Sequence, residues 1–600
     1  MAHDTIPTRL VARALRRPTE PAYFVKRQGL WQATPWSDYA AEVRRAGAAL
    51  VALGLRPGDG IALLARGGPE WTTLLLGAMS IGARPTGLYT STPADEVVRL
   101  LAHSEARLVL LDDPARLDTV LRARAALPAL MQVVSLTPTL GTQDTLVRGW
   151  DAFLRLGQPA HEEQADARRE ALRPDDVAAL VYTAGVAEPP KGALLSHQNL
   201  TFTADAVRDV LRITSSDLSL SYLPLAHVAE QLASVHVQVS SGHTVYFPSG
   251  RGALADLREV QPTLVLGPPR LWEKLVAGTA AALTNLHEPR ASMIAWARRL
   301  ARNVVTAQSA GKSPPLEQGM QYEVARKLVL EPMRRALGLA RARVCLSGVG
   351  PLDLATLDAL ATLGIQLFET YGMAETTGIA TLNQPRRTRA GTAGPKLPST
   401  QLVIASDGEV LVEGPHVFLG YHRDPEATAR AKVEGRLRTG DLGQIDKEGF
   451  LRAYGPRRDL LTGPGGRTLA PALVEAALRG EPLVHDAVVL AERGRAPIAL
   501  IVVDDVYAND LGLSGALHEN EIVRERIDDQ LRHVNQALHP SVRLSGFVVL
   551  PRRPEVAEGE LTASMKPRRA ALLARYASTV ASSDASHAAA PVARPEPRAR

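Results

Sequence analysis

Four stretches of the chain combine acids, glycines and a late lysine in a way that suits chemistry on a polyanion. They are "FETYGMAETTG", with Glu375 just past a strand-like run, and "RLRTGDLGQIDKEGFL", with Asp441 in a Gly-flanked turn. The other two are "YGPRRDLLTGPGGRTLAPALVE", a hinge-like segment carrying Arg458, and "GELTASMKPRR", with Lys566 near its end. A fifth stretch, "VYTAGVAEPPKGALLSHQNL" from Val181 to Leu200, reads as a phosphate cradle. The apolar run "DDVAALVY" leads into a Gly/Pro loop, and Ser196 then serves as a helix N-cap. Strand, loop and helix N-terminus together aim free backbone N–H groups at an anion. Yet between Tyr182 and Lys191 the only side-chain hydroxyl is Thr183, and Glu188 sets a carboxylate where the anion has to sit. Singly, each feature has a plainer reading: Glu375 complementing a helix dipole, Asp441 forming a turn, Lys566 a solvated charge.

Bringing such groups together takes a large scaffold, and the hydrophobic pattern supplies one. From Trp36 onward, helical stretches such as "WSDYAAEVRRAGAALVALG" alternate with strand-like runs such as "DGIALLA", and the rhythm returns with "PTLVLGPP", "ARVCLSG" and "IQLFETYG". Alternation of this kind predicts an α/β fold with helix-covered parallel sheets. After about residue 395, short strands and turns predict a small β-rich subdomain, and a last α+β segment begins near Arg457. The expected division is 1–456 for the N-terminal domain (β-rich part about 395–456), 457–578 for a small C-terminal domain, and 579–600 for a disordered Ala/Pro/Arg tail.

Bulk properties exclude several classes. With 600 residues the chain is too long for a single core, and 45% hydrophobic with 22% charged residues describes a globular enzyme. No apolar run reaches the roughly 18 residues of a membrane span. The net charge of +6 comes from scattered arginines without an aromatic-interleaved basic stripe, which argues against nucleic-acid binding. The single cysteine, Cys345, forbids an intrachain disulfide and points to a reducing compartment. The N-terminus "MAHDTIPTRLVARALRR" lacks a secretory apolar region and reads as a first helix packed on its domain, in a cytoplasmic protein. Motifs of P-loop NTPases, zinc hydrolases and α/β-hydrolases are missing, and "GVGPLD" lacks the third glycine of a dinucleotide fingerprint.

In their order and separation the motifs resemble the adenylate-forming superfamily of acyl-CoA synthetases, adenylation domains and luciferases, and most of all its long-chain fatty-acid CoA ligases. The resemblance runs from about residue 10 to about 578. "SYLPLAHVAEQ", "PTLVLGPPRLWEKL" and "GEVLVEGPHVFLGYHRDPEAT" support it, and "PPRLWEKL" and "GELTASMK" point to the long-chain branch. It implies attack of a carboxylate on the α-phosphate of Mg·ATP, giving acyl-AMP and pyrophosphate. Coenzyme A then displaces AMP after the C-terminal domain swings. Carried over by motif, Glu375 would hold Mg²⁺, Asp441 would bind the ribose, and Tyr371 with Gly372 and the Gly348–Gly350–Pro351 turn would flank the adenine. Thr183, Gly185 and Lys191 would hold phosphate, Lys566 would bridge carboxylate and phosphate, and Arg458 would be the hinge. His227 and Trp272 resemble acyl-pocket positions, with a packed-core role equally open for both.

The family's loop reads roughly YTSGTTGxPKG, whereas this chain carries Ala184, Val186 and Ala187 in place of three hydroxyl residues and Glu188 in place of a glycine. Pro456 stands where an arginine is usual, with Arg457 next door. Three lost charged hydrogen bonds would cost about 4–9 kcal/mol. The expected function is therefore an ATP-dependent long-chain fatty-acid CoA ligase. The altered loop keeps two alternatives: a pseudoenzyme binding acyl chain, acyl-CoA or AMP, or an acyl-AMP ligase serving a carrier protein. Homodimerisation, peripheral contact with the inner membrane face and chain length stay open.

Overall fold

The computed structural model describes residues 3–137, 144–185, 188–283, 287–492 and 494–577. The expected tail at 579–600 and the loop residues Val186 and Ala187 lie outside them. The N-terminal basic segment forms the helix Ile6–Arg16, capped by the Thr5 hydroxyl, and buries Ile6 and Leu10 in the central core. It packs on its own domain because those two side chains lie one helical turn apart on one face.

Two sheets carry the alternating pattern. In the first, Arg84–Gly87, Gly60–Leu64, Ala106–Leu111, Gln132–Ser135 and Val147–Gly149 lie side by side in that order, all parallel. Gly60–Leu64 is buried along its whole length, which is why it reads as an unbroken apolar run. The second sheet has eight strands, with Leu367–Tyr371, Val344–Ser347, Leu264–Gly267, Leu218–Leu220 and Thr244–Tyr246 forming its parallel centre. Because these strands share one direction, the segments leaving Leu220, Gly267, Ser347 and Tyr371 emerge on the same edge. A crevice outside the carboxyl ends of parallel strands is where such folds hold ligands.

A β-rich segment follows, in which Gln401–Ile404, Glu409–Glu413, Arg436–Ile445 and Leu451–Pro456 pair antiparallel. Beyond it, Val484–Leu490, Ile498–Val503 and Gly546–Val549 make a three-stranded sheet backed by the helices Pro471–Leu478 and Glu521–Ala537. Leu478, Ile501, Ile527 and Phe547 belong to its own apolar cluster, separate from the central one. Polar contacts tie this unit to the rest. Arg479 Nε donates to both oxygens of Glu273 at 3.0 and 3.1 Å, Arg270 reaches Asp486 at 3.0 Å, and Ser91 Oγ donates to Ala563 O at 2.5 Å. Among the described residues no helix is long and apolar enough to cross a membrane.

One local expectation is overturned. Val177–Tyr182 does lead into the Gly/Pro loop, but the loop returns as a second strand, Gly192–Ser196, antiparallel to the first with Tyr182 opposite Gly192. Ser196 is the N-cap expected, accepting from Asn199 N at 3.1 Å, and the helix His197–Leu211 begins only after that strand. The two sides of the loop therefore form a hairpin, and among the described residues no helix N-terminus opens onto it. The reason is the short apolar run "GALLS", which finds partners on both sides: Ala193 pairs with Val181 and Tyr421, and Leu194 with Leu180 and Gly420.

Candidate active site

The hairpin loop is pinned at its base by Thr183, whose N–H donates to Lys191 O at 2.9 Å while its Oγ1 accepts from Lys191 N at 3.0 Å. Gly185 turns the chain with a φ of +61°, and a Cβ there would lie 2.7 Å from the Pro190 ring, so only glycine fits. Glu188, instead of pointing away, places Oε2 2.6 Å from Lys191 Nζ. That hydrogen bond holds its carboxyl below the ordinary glutamate value. The ammonium also stands 5.7 Å from the centre of the Tyr421 ring. The loop thus pairs its lysine with its own carboxylate.

Glu375 sits in a 3-10 turn, Ala374–Thr376, directly after the strand Leu367–Tyr371, rather than at the start of an α-helix. It is buried, and Tyr421 Oη donates to its Oε1 at 2.6 Å. Oε2 has no protein partner among the described residues. Asp441 lies inside the long strand Arg436–Ile445, not in a free turn, paired across the ladder with Pro456. Tyr371 Oη donates to its Oδ2 at 2.7 Å. Burial raises the Asp441 carboxyl above its usual value, against the opposing pull of Tyr371 and Lys566. Burial likewise lifts the Tyr371 phenol well above its own. Gly372 follows because a Cβ at that point would meet Gly378 O at 2.4 Å.

Lys566 rides a tight turn in which Thr562 Oγ1 accepts from Lys566 N at 3.0 Å and Thr562 N donates to Lys566 O at 2.9 Å. Lys566 is exposed on the cleft, with the cleft's walls standing around it. Partial desolvation by those walls lowers the ammonium below the ordinary lysine value, with Arg458 pushing the same way and Asp441, Asp459 and Glu375 opposing. Lys566 makes no ion pair among the described residues, so its charge stands ready for a ligand. Ser91 fixes the same turn through Ala563, an anchor that a lone serine in "LYTSTP" does not announce in the sequence.

These groups border one cavity of about 1580 Å³. Thr183, Gly185 and Lys191 line one side, Tyr371, Gly372 and Glu375 another, and Asp441 and Arg458 a third. The Gly348, Gly350 and Pro351 turn and Lys566 complete it, with His227 at the start of the apolar extension. Burial, with a contribution from Lys566, pulls His227 down to about 4, so it is neutral near pH 7. Trp272 is placed otherwise: its side chain is fully buried in the core behind the wall, with Nε1 donating to Gly267 O at 3.3 Å, and it does not border the cavity. Arg457 pairs with Asp407 at 2.9 Å and still borders the cavity. Sequence reasoning missed Tyr421, although "FLGYHRDPEAT" was already marked as informative. It acts on a residue 46 positions away, a pairing visible only in three dimensions.

Known proteins are similar to this chain in sequence and fold. A long-chain-fatty-acid–CoA ligase, FadD15, of Mycobacterium bovis is 29% identical over 592 residues, covering 96% of both chains. A long-chain-fatty-acid–CoA ligase, ACSBG2, of Xenopus laevis is 30% identical over 478 residues, covering 77% of this chain and 64% of its own length. The solved structure of the O-succinylbenzoate coenzyme A synthetase MenE from Bacillus subtilis, in complex with ATP and magnesium ion, superposes with a TM-score of 0.66 at 22% identity, covering 94% of this chain and 98% of that one. Residues 10–422 match the family described as AMP-binding enzyme, and 458–585 match the AMP-binding enzyme C-terminal domain. The chain belongs to the AMP-binding enzymes of the adenylate-forming superfamily.

Proposed function

We propose that the chain is an AMP-forming ligase that activates a long-chain or related hydrophobic carboxylate as acyl-AMP and passes the acyl group to coenzyme A. The observation that carries this reading is the convergence of Lys566, Glu375 and Asp441 on one cleft whose far side runs along Leu232, Val237, Leu264 and Leu346. The relatives named long-chain-fatty-acid–CoA ligases support the same substrate class. Coenzyme A is the acceptor in this reading, and a carrier protein is not needed. The cytoplasmic placement read from the sequence belongs to the same proposal, as do the roles assigned to individual site residues.

The carboxylate attacks the α-phosphorus, the bond to the β-phosphate oxygen breaks, and pyrophosphate leaves. The thiol then attacks the acyl carbon and AMP leaves. Lys566 can approach both the attacking carboxylate and the phosphate, offsetting negative charge where it accumulates. Asp441, aimed by Tyr371, accepts from the hydroxyls of a sugar. Mg²⁺ suits Glu375: a buried hard-oxygen donor with one oxygen held by Tyr421 and the other free is what this ion takes alongside phosphates. When bound it neutralises phosphate charge.

The test is pyrophosphate release from Mg·ATP with C8 to C18 fatty acids, with and without coenzyme A, on the parent protein and on Lys566→Ala. We expect release that depends on fatty acid and drops by about 10²–10³-fold in the variant, the usual cost of one electrostatic contact to a transition state. Release that persists in Lys566→Ala would remove the lysine from its role. No release from folded protein across the panel would remove the ligase reading.

A further inference from the structure

The wall of the acyl extension is not uniformly apolar. In the eight-stranded sheet, Ser219 pairs in register with Leu264 and Leu264 with Val344, so the three share one face, and all three border the cavity. A serine thus stands where a third aliphatic side chain would complete the row. Ser221, two residues on, points to the same face about 7 Å away. Each serine holds a buried polar partner. Ser219 Oγ lies 3.2 Å from His243 Nε2, and Ser221 Oγ donates to Glu230 Oε1 at 2.7 Å, where Ser234 Oγ also donates at 2.6 Å. Glu230, His243 and Ser234 line the same cavity and are almost wholly buried. An imidazole and a carboxyl beside an acyl chain are costly unless something uses them.

The hydrogen bonds fix what this cluster offers. Ser241 Oγ spends its proton on Val237 O at 2.8 Å, so at 2.8 Å from His243 Nδ1 it must accept. Nδ1 therefore carries the ring proton, and Nε2 is left to accept from the Ser219 hydroxyl. Burial pulls His243 down to about 4, consistent with this neutral ring. Ser219 then presents only oxygen lone pairs to the cavity. On Glu230 both serine hydroxyls fall on Oε1, leaving Oε2 without a protein partner among the described residues. Burial pushes this carboxyl up to about 7, so near neutral pH Oε2 bears a proton in much of the population. An acceptor at Ser219 and a donor at Glu230 both border the cavity, beside Leu264 and Val344.

We propose that this pair is a recognition subsite for an alcohol group on the substrate, so that the chain selects hydroxylated hydrophobic carboxylates over plain fatty acids. The hydroxyl donates to Ser219 Oγ and accepts from Glu230. This refines the substrate class of the ligase proposed above and rests on that reading for turnover, but not for binding.

Titration calorimetry of the full chain with plain hexadecanoic acid and with hexadecanoic acids hydroxylated at successive positions separates the two. We expect one regioisomer to bind about 10-fold tighter than the plain acid, the worth of two neutral hydrogen bonds. Ser219→Ala and Glu230→Leu bring that ratio to about one, whereas Glu230→Gln, which keeps an acceptor and a donor, preserves most of it. Thermal melts report whether each variant is folded. A plain acid that binds as well as every hydroxylated one overturns the subsite, and so does a preference that survives both Ser219→Ala and Glu230→Leu. Selective binding without pyrophosphate release would leave the subsite standing and remove only the ligase.

Discussion

Replacing Glu188 by glutamine tests whether the hairpin loop works against its own nucleotide. In the structure the carboxylate occupies Lys191 at 2.6 Å, so a phosphate that uses this lysine must first displace it. The pair is substantially exposed, with side-chain exposures of 62% for Glu188 and 32% for Lys191, which places its worth in the range of surface ion pairs, about 0.2–1 kcal/mol. Removing that competition should lower KM for Mg·ATP by about 1.4- to 5-fold at saturating fatty acid, because a glutamine still fills the space without holding the ammonium. Loss of a negative charge beside a triphosphate acts in the same direction and is screened beyond about 8 Å at 0.15 M salt. The advantage of Glu188→Gln should therefore shrink when ionic strength is raised to 0.5 M. The assay is initial-rate pyrophosphate release against Mg·ATP concentration at both salt levels. A KM that rises in Glu188→Gln would refute the reasoning outright. It would mean that the carboxylate serves the nucleotide, through its metal or through Lys191, rather than competing with it.

Two further outcomes follow from buried charge. Arg479 and Glu273 keep side-chain exposures of only 11% and 8%, so Arg479→Ala leaves a buried carboxylate with only Arg270 at 3.9 Å and costs up to about 3–5 kcal/mol, borne by the arrangement that brings Lys566 to Glu375 and Asp441. Single-turnover acyl-AMP formation should slow far more than thioester formation from supplied acyl-AMP, and equal slowing of both would show that the contact does not favour the first step. Glu369, whose Oε2 accepts from Gly391 N at 2.9 Å, is pushed up to about 8 by burial. A raised folded value means stability that is full below the unfolded value near 4.5 and lost as pH rises through about 8. Between pH 5.5 and 8.5 the parent should lose about 3 kcal/mol relative to Glu369→Gln, read by denaturant unfolding at both pH values. Parallel behaviour of the two would place the Glu369 carboxylate in a charged state throughout.

What the sequence made legible was whatever depends on local pattern. The strand Gly60–Leu64 and the helices Trp36–Ala52 and Leu354–Thr362 follow from period and apolar runs, since burial on both faces or on one stripe writes itself into neighbouring residues. The acids and the lysine of the cleft were readable for another reason: each lies in a short motif whose neighbours are glycines and turns that cannot be exchanged freely. Gly372, closed in by Gly378 O, shows why. Partners from distant segments left no such trace. Tyr421 on Glu375, Ser91 on Ala563 and Arg479 on Glu273 join positions 46, 472 and 206 apart, and nothing adjacent to either residue encodes the other.

The loop shows where local reading fails, and why the failure matters for function. A strand, a Gly/Pro turn and a capped helix are all present in order, and the inference of a helix-dipole phosphate site required only that they be contiguous. Five residues, Gly192 to Ser196, pair on both sides with Val177–Tyr182 and Gly420–Tyr421 and so become a strand, which carries the helix N-terminus away from the loop. Without that dipole, affinity for phosphate rests on backbone N–H groups at the hairpin tip, on Lys191 once Glu188 has left it, and on the groups opposite. Lys566 is the cation among these that no carboxylate holds within ion-pair distance among the described residues, and Glu375 keeps a free oxygen beside it. In the proposed ligase the charge needed at the phosphate therefore comes chiefly from outside the loop. On this account the exchange of loop hydroxyls at 184, 186 and 187 is tolerable, because the main electrostatic groups of the proposed site lie across the cleft.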